Sequence, residues 1–295
     1  IRINEKGILT ALSVNLQKAL SNNKSRYNIL LKPSDRILVF GLGKDRTTEI
    51  RAITESLKQQ SKYNQLSPVV SISGHVQYSG SYPLTPKMKL SNLINAAAGV
   101  LPSRYDLSYV LISRTNAKTG KLEVITTQLD NAKSSSDILL KPEDKVRIFS
   151  SQDNRSESIK GIVALLKQQR NFNQLANVVS ISGHVEFPGT YPLTQKMKIT
   201  DLINAASGVL PTQYDLSYVL IARTIVETGK TMILTTNLSK INNFPEYNIF
   251  LKPEDEIRLF SLNENRANAV KPYLSRLFLQ RTALELAPIV KISGN

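Results

Sequence analysis

The chain has 295 residues, 41% hydrophobic and 21% charged, the balance of a globular protein of two or three domains and not of a disordered chain. It has no cysteine, which excludes disulfides, thiolate zinc sites and a thiol nucleophile. The net charge of +15, spread along the chain without a dense basic tail, fits polyanionic partners such as nucleic acid, acidic polysaccharide or an anionic membrane surface and, equally, a soluble domain with many surface lysines.

Residues 69–84 read VVSISGHVQYSGSYPL, residues 178–193 read VVSISGHVEFPGTYPL, and IVKISGN occupies 289–295. A closing phrase occurs three times, as NILLKPSDRILVF from Asn28, DILLKPEDKVRIF from Asp137 and NIFLKPEDEIRLF from Asn248, at offsets of 109 and 111 residues. That period is too long for a solenoid repeat, so each unit is expected to be a small domain with its own core.

In chain order, residues 1–43 read as the C-terminal part of a truncated unit. They open without an initiator Met, so the chain reads as an excised piece of a longer one. Residues 44–67 form a linker helix, with Ile50, Ile53 and Leu57 at helical spacing. The first full unit spans 68–150. In it Val70 and Ile72 alternate with Ser71 and Ser73, a half-buried strand, and Gly74 marks a bulge or a close backbone approach. His75 and Val76 continue the strand, with His75 on the outward side of the serines. Ser79-Gly80 turns the chain into a second strand. A short helix follows, with Ser91 as N-cap and Leu93, Ile94 and Ala97 facing inward. Gly99 is its left-handed C′ residue, with Pro102 beyond. Strands through YVLISR and LEVITT flank a turn at Gly120. A Pro-Glu-Asp turn then leads to the last strand, Lys145 to Phe149.

Residues 153–176 form a second linker helix bearing Ile159, Ile162, Val163 and Leu166, and 177–261 repeat the unit with Thr200, Gly208 and Gly229 at the corresponding places. A third helix spans 264–287, with Pro272 near its first turn. Residues 288–295 open a further truncated unit. The helical stripes must cover either the adjacent domain or a neighbouring subunit. The two end pieces are expected to have unpaired strand edges and to pair with each other, across or between chains. Two strands, a helix and three strands is the order of a β-grasp domain. The fold class is therefore α+β, tandem β-grasp domains joined by amphipathic linker helices.

A hydrophobic strand reaching G-x-V, then P-G-x-Y-x-L, a helix ending in A-A-x-G, a strand ending in Arg and finally L-x-P-x-D resembles the SLBB (soluble ligand-binding β-grasp) domain. The matching residues are Gly74, Val76, Gly80, Tyr82, Leu84, Gly99, Arg114, Leu140, Pro142 and Asp144. In the next unit they are Gly183, Val185, Pro188, Gly189, Tyr191, Leu193, Gly208, Arg223, Leu251, Pro253 and Asp255. The chain departs from the family pattern at His75 and His184, where Glu is common, at Ser79 in place of Pro, and at Val100 and Val209 in place of a second Gly. Tandem SLBB domains are similar to the periplasmic part of outer-membrane polysaccharide export proteins, the capsule and exopolysaccharide translocons. That resemblance implies a homo-oligomeric ring attached to the outer membrane, acting as scaffold and conduit for a polysaccharide. It implies inner-membrane export machinery as a partner, and membrane contact only through segments outside these residues.

His75 and His184 are the only histidines and hold equivalent positions. A metal-binding or pH-sensing role competes with the preferred reading of a structural or surface residue, a single potential ligand in each domain. Tyr82 and Tyr191, Tyr105 and Tyr214, and Tyr109 and Tyr218 recur between units. Exposed rings would suit a glycan, but packing with hydroxyls at the rim is preferred. Arg114 and Arg223 either pair with Asp144 and Asp255, the preferred reading, or face an anionic ligand. The candidate glycan or anion contacts are thus Tyr82, Tyr191, Tyr105, Tyr214, Arg114, Arg223, His75 and His184. GLGKDR at 41–46 lacks phosphate-loop spacing, and neither HExxH nor GxSxG occurs. No enzyme, catalytic residue, cofactor or metal is expected. A soluble glycan- or small-ligand-binding module is the alternative. DNA binding or uptake ranks below it, since the chain has no helix–hairpin–helix motif and no concentrated basic patch.

Overall fold

The computed structural model describes residues 1–22, 24–25, 27–41, 44–61, 65–129, 137–282 and 286–290. They fall into two compact units, Ile1–Gln152 and Asp153–Asn295.

The first unit opens with a small antiparallel pair, β1 (Arg2–Ile3) and β2 (Leu9–Thr10), followed by helices α1 (Leu16–Ser21) and α2 (Arg46–Gln59). Then come β3 (Val69–Gly74), β4 (Gly80–Pro83), α3 (Leu90–Ala96), β5 (Tyr105–Thr115), β6 (Leu122–Thr127) and β7 (Lys145–Ser150). The sheet order is β4-β3-β7-β5-β6, with β3 and β7 parallel at its middle and every other pairing antiparallel. Alternate residues of the strands, Val70, Ile72, Val110, Ile112, Val146 and Ile148, meet Leu90, Leu93 and Ala97 of the α3 segment in one buried cluster. A helix laid on a sheet whose first and last strands run parallel is a β-grasp domain.

The second unit repeats it. Helices α4 (Arg155–Ser158) and α5 (Lys160–Gln168) precede β8 (Val178–Gly183), β9 (Gly189–Pro192), α6 (Ile199–Ala205), β10 (Tyr214–Thr224), β11 (Thr231–Thr236) and β12 (Glu256–Ser261), and α7 (Arg266–Ala269) and α8 (Lys271–Leu279) follow. Its sheet order is β11-β10-β12-β8-β9, with β8 and β12 parallel.

Three local expectations need correction. Ser91 and Thr200 are not N-caps. The caps lie two residues earlier, at Lys89 and Lys198, whose N–H groups are taken by Asn92 Oδ1 (2.9 Å) and Asp201 Oδ2 (2.8 Å). The Ser91 and Thr200 amides instead donate to Asp137 Oδ1 (2.9 Å) and Asn248 Oδ1 (3.2 Å), the first residues of the closing phrase. Orphan amides of a first turn need acceptors from somewhere, and here they come from about 48 residues away. The left-handed C′ residue is Ala98 (φ +63°) or Ser207 (φ +65°), with Gly99 and Gly208 one position later. Ala98 N–H bonds Asn95 O (3.1 Å) and Gly99 N–H bonds Ile94 O (2.8 Å), the Schellman pattern. Finally, β3 stops at Gly74 and does not continue through His75; Val76 makes only a single bridge, to Val100.

Gly74 is the close approach. Its φ is +88°, and a Cβ there would lie 1.9 Å from Ile148 O; at Gly183 (φ +87°) it would lie 1.9 Å from Leu259 O.

The helical stripes cover adjacent elements. In the first unit Ile50 joins the domain core, while Ile53 and Leu57 pack with Val69 and with Ile1, Leu9 and Leu38 of the opening segment. In the second, Tyr273 of α8 joins Leu220, Ala222 and Phe260 on the outer face of the sheet, and Pro272 sits in the first turn of α8. The expected strand of IVKISGN, and with it the pairing of the two end pieces, falls largely on 291–295 and so outside the described residues.

Candidate functional site

Arg114 and Asp144 form a buried fork. Nε donates to Oδ1 (2.8 Å) and Nη2 to Oδ2 (2.7 Å), and Nη2 also reaches Leu139 O (3.1 Å). Asp144 is 0% exposed and also accepts the Lys141 N–H (2.8 Å). Arg223 repeats this with Asp255 (2.9 and 2.6 Å) and Phe250 O (3.0 Å). Arg2 does so again with Asp35 (3.0 and 2.7 Å) and Leu30 O (2.8 Å). Each planar guanidinium thus ties the closing phrase to an earlier strand, the 11-residue β5 or β10 for Arg114 and Arg223 and the short β1 for Arg2, through two parallel charge-assisted bonds. Of the two readings of these arginines, the geometry realises the pairing; their forks point at carboxylates of the fold and not at solvent.

Tyr82 and Tyr191 are 3% and 0% exposed, and their hydroxyls donate to Tyr78 O (2.7 Å) and Phe187 O (2.6 Å). Burial, which disfavours the phenolate, pushes both hydroxyls up to about 12. A folded-state value above the unfolded one near 10 means that the stability these groups contribute is complete below pH 10 and lost as pH rises toward 12. Ultraviolet titration is therefore expected to show two tyrosines ionising about two units late, and alkaline unfolding to follow them. Tyr82→Phe should remove one late step. Tyr109 and Tyr218 pack against Phe149 and Phe260, with ring centroids 5.6 and 5.4 Å apart.

Tyr105 and Tyr214 differ, being 48% and 44% exposed at the starts of β5 and β10. The loop before each is held by a histidine. The His75 ring Nε2 contacts Ser103 O, and His184 Nε2 contacts Thr212 O. Arg104 O accepts Ser151 N–H and Gln213 O accepts Leu262 N–H, both at 2.7 Å. Arg104 and Gln213 have φ of +60° and +59°. The structure thus ties His75 and His184 to the loop residues two before Tyr105 and Tyr214. It places Tyr82, Tyr191, Arg114 and Arg223 in the interior.

Sequence reading missed the arginines that open the linker helices. Arg46 Nη1 donates to Asn95 O (2.9 Å) and Ala96 O (3.1 Å), the last carbonyls of α3. Arg155 Nη1, on a side chain 1% exposed, does the same to Asn204 O (2.7 Å) and Ala205 O (3.2 Å). A cation at a helix C-terminus satisfies free carbonyls and meets the negative end of the dipole. Gly80 and Gly189 let the helix approach, since a Cβ at either would lie 2.7 Å from Thr47 Cγ2 or 2.5 Å from Ser156 Cβ. At the far end of α2, Gln60 accepts from Leu9 N–H (3.0 Å) and donates to Leu9 O (2.8 Å). The available signal was Asp45-Arg46, Asn154-Arg155 and Asn265-Arg266, an N-cap residue and an arginine repeated three times. In the third, Arg266 instead binds Asp215 and lies over Tyr218 (5.4 Å).

Among the described residues no three His, Asp or Glu side chains converge as metal ligands, and no helix is long and apolar enough to cross a membrane. No curated protein matches the chain. A family model described as SLBB domain matches residues 69–148 and 177–258, more than half of the chain. SLBB domains are generally ligand-binding or scaffold modules, not a known enzyme family. Each match runs from the strand that carries Gly74 or Gly183 to the parallel strand beside it, so both repeats are SLBB domains and the chain belongs to the SLBB domain family.

Proposed function

We propose that this chain is part of the periplasmic portion of a polysaccharide export protein, attached to the outer membrane, where it works as a non-enzymatic, oligomeric scaffold and conduit for capsular or exopolysaccharide. One observation carries the reading: α2 is gripped at both ends, by Gln60 on the strand before it and by Arg46 on the domain after it. A linker held this way transmits position and does not act as a flexible tether, which suits domains that must be stacked in an assembly. The conduit assembles as a ring of identical chains, receives polysaccharide from inner-membrane machinery and handles an acidic polymer through its positive charge. Deleting the gene in its host should abolish surface polysaccharide, and the protein purified in detergent should be a ring. Normal surface polysaccharide together with a monomeric protein would sink the proposal.

The exposed Tyr105 and Tyr214 on repeated rims favour a second reading, a module that captures free glycan or a small ligand. Calorimetry on the monomer separates the two, since the scaffold reading expects weak binding. Affinity for DNA falling steeply with salt would move the assignment to DNA uptake.

A further inference from the structure

We infer that each SLBB domain carries a lysine-walled face for an acidic polysaccharide, a polymer of carboxylate-bearing sugars, on the short ladder between the segment preceding its helix and the closing phrase. The inference rests on the polysaccharide reading above and gives it residues and a charge class. In the first domain Lys89 bridges Leu139, and bonds from Leu140 N–H to Met88 O and Leu90 N–H to Ile138 O (both 2.9 Å) extend the ladder. Met88, Leu90 and Leu140 are buried, at 5%, 0% and 5% exposure, while Lys89 and Leu139 stand opposite each other and are exposed, flanked by exposed Lys141 and by Lys87, which lies in a turn with φ +58°. In the second domain Lys198 bridges Phe250, while Met197, Ile199 and Leu251 point inward. Lys196, Phe250 and Lys252 stand exposed there, and Lys198 is half-buried with Nζ 4.7 Å from the Phe250 ring centroid.

The face is held from behind, because Arg114 and Arg223 anchor the carbonyls of Leu139 and Phe250, its central apolar residues. Nearby carboxylates are engaged elsewhere. Asp144 and Asp255 hold the arginines, Glu143 accepts from Ser67 N–H, and Glu254 takes Ala176 N–H and Arg170. Among the described residues no ion pair neutralises any of the six lysines. Three lysines grouped around one exposed apolar side chain in each domain suit a polymer bearing regular charges and an apolar ring face. With no second ring to stack successive bases, the face fits a sugar chain better than a single-stranded nucleic acid. Its recurrence in both domains suits a ligand that itself repeats, for which linked weak sites add up.

The test titrates the full chain with oligogalacturonate, with neutral dextran of matched length and with a single-stranded oligonucleotide. Oligogalacturonate should bind and dextran should not. Changing Lys87, Lys89, Lys141, Lys196, Lys198 and Lys252 to Gln should weaken binding at least about tenfold. A control with the same charge loss, Lys6, Lys44, Lys118, Lys167, Lys240 and Lys271 to Gln, should change it less than about twofold; all six are exposed. Phe250→Ala, which removes no charge, should also weaken binding. Thermal melts by circular dichroism verify that each variant is folded. Undiminished oligogalacturonate binding by the six-lysine variant overturns the face and leaves the polysaccharide reading standing. Equal loss in the control overturns it in favour of net charge. Binding of the oligonucleotide with higher affinity than oligogalacturonate overturns the choice of ligand, and absence of any glycan binding overturns the face and weakens the reading beneath it.

Discussion

Gly74→Ala is expected to unfold the first SLBB domain or destabilise it by at least about 4 kcal/mol, a loss in the exceptional range for one substitution. Two independent obstacles coincide at this residue. Its φ of +88° is one that side chains other than glycine rarely adopt, and the added methyl would lie 1.9 Å from Ile148 O. That carbonyl belongs to the parallel strand at the middle of the sheet, where β3 and β7 are in register from Ser71–Lys145 to Gly74–Ile148. Neither strand can retreat without opening the core cluster of Ile72, Val146 and Ile148. Gly99 separates the two effects, because its φ is +93° but a Cβ there has nothing within 4 Å. Gly99→Ala should therefore cost only the left-handed penalty, about 1–2 kcal/mol. Hydrogen exchange resolved by peptide checks both. In Gly74→Ala, protection should collapse across 69–148, with the second domain's own peptides as the internal reference. Near-native protection in that variant would refute the account of the glycine.

The sequence showed the fold because the repeat displayed the domain twice with the same alternation, the same glycines and the same closing turn. What it concealed was long-range. Ser91 and Thr200 have the chemistry of N-caps, yet the cap lies two residues earlier because Asp137 and Asn248 reach over from the closing phrase. Gly99 has the chemistry of a C′ residue, yet Ala98 occupies that position and the glycine follows it. Local propensity placed the C-terminal end to within one residue and the N-terminal end to within two, and at the N-terminal end a partner about half a domain away decided the rest. The candidate site was less legible. Repetition singled out Tyr82, Tyr105, Arg114 and His75 equally, since a residue needed for packing repeats as faithfully as one that meets a ligand. Only burial separates Tyr82, at 3%, from Tyr105, at 48%. The lysines of the ladder escaped notice for a related reason: Lys87 and Lys89 are 50 residues or so from Lys141, and the bridge that joins their segments is invisible along the chain.

Asp144→Asn should destabilise the first domain by roughly 3–5 kcal/mol, the usual result of leaving one buried charge without its partner. Asn keeps the shape and an acceptor for Lys141 N–H but removes the charge that meets both Arg114 nitrogens at 2.8 and 2.7 Å. The side chains of Arg114 and Asp144 are 9% and 0% exposed, so water cannot take over. Replacing both residues, as Arg114→Met with Asp144→Leu, should recover much of the loss, because the pair must first offset its own desolvation. The double-mutant cycle reads the coupling directly, and a coupling near zero would show that the fork is incidental. The third fork answers to pH. Arg2, chiefly through its side-chain hydrogen bonds, holds the Asp35 carboxyl well below the usual carboxylate range. A depressed acid stabilises the fold above its unfolded value near 3.9 and loses that contribution as pH falls further, so the opening segment should loosen on acidification below about pH 4. Asp144→Asn also connects to binding. Arg114 Nη2 holds Leu139 O, the centre of the lysine face in the first domain. If that anchor matters, Asp144→Asn will weaken oligogalacturonate binding under conditions where hydrogen exchange still finds the domain folded. An unchanged affinity would restrict the fork to stability alone.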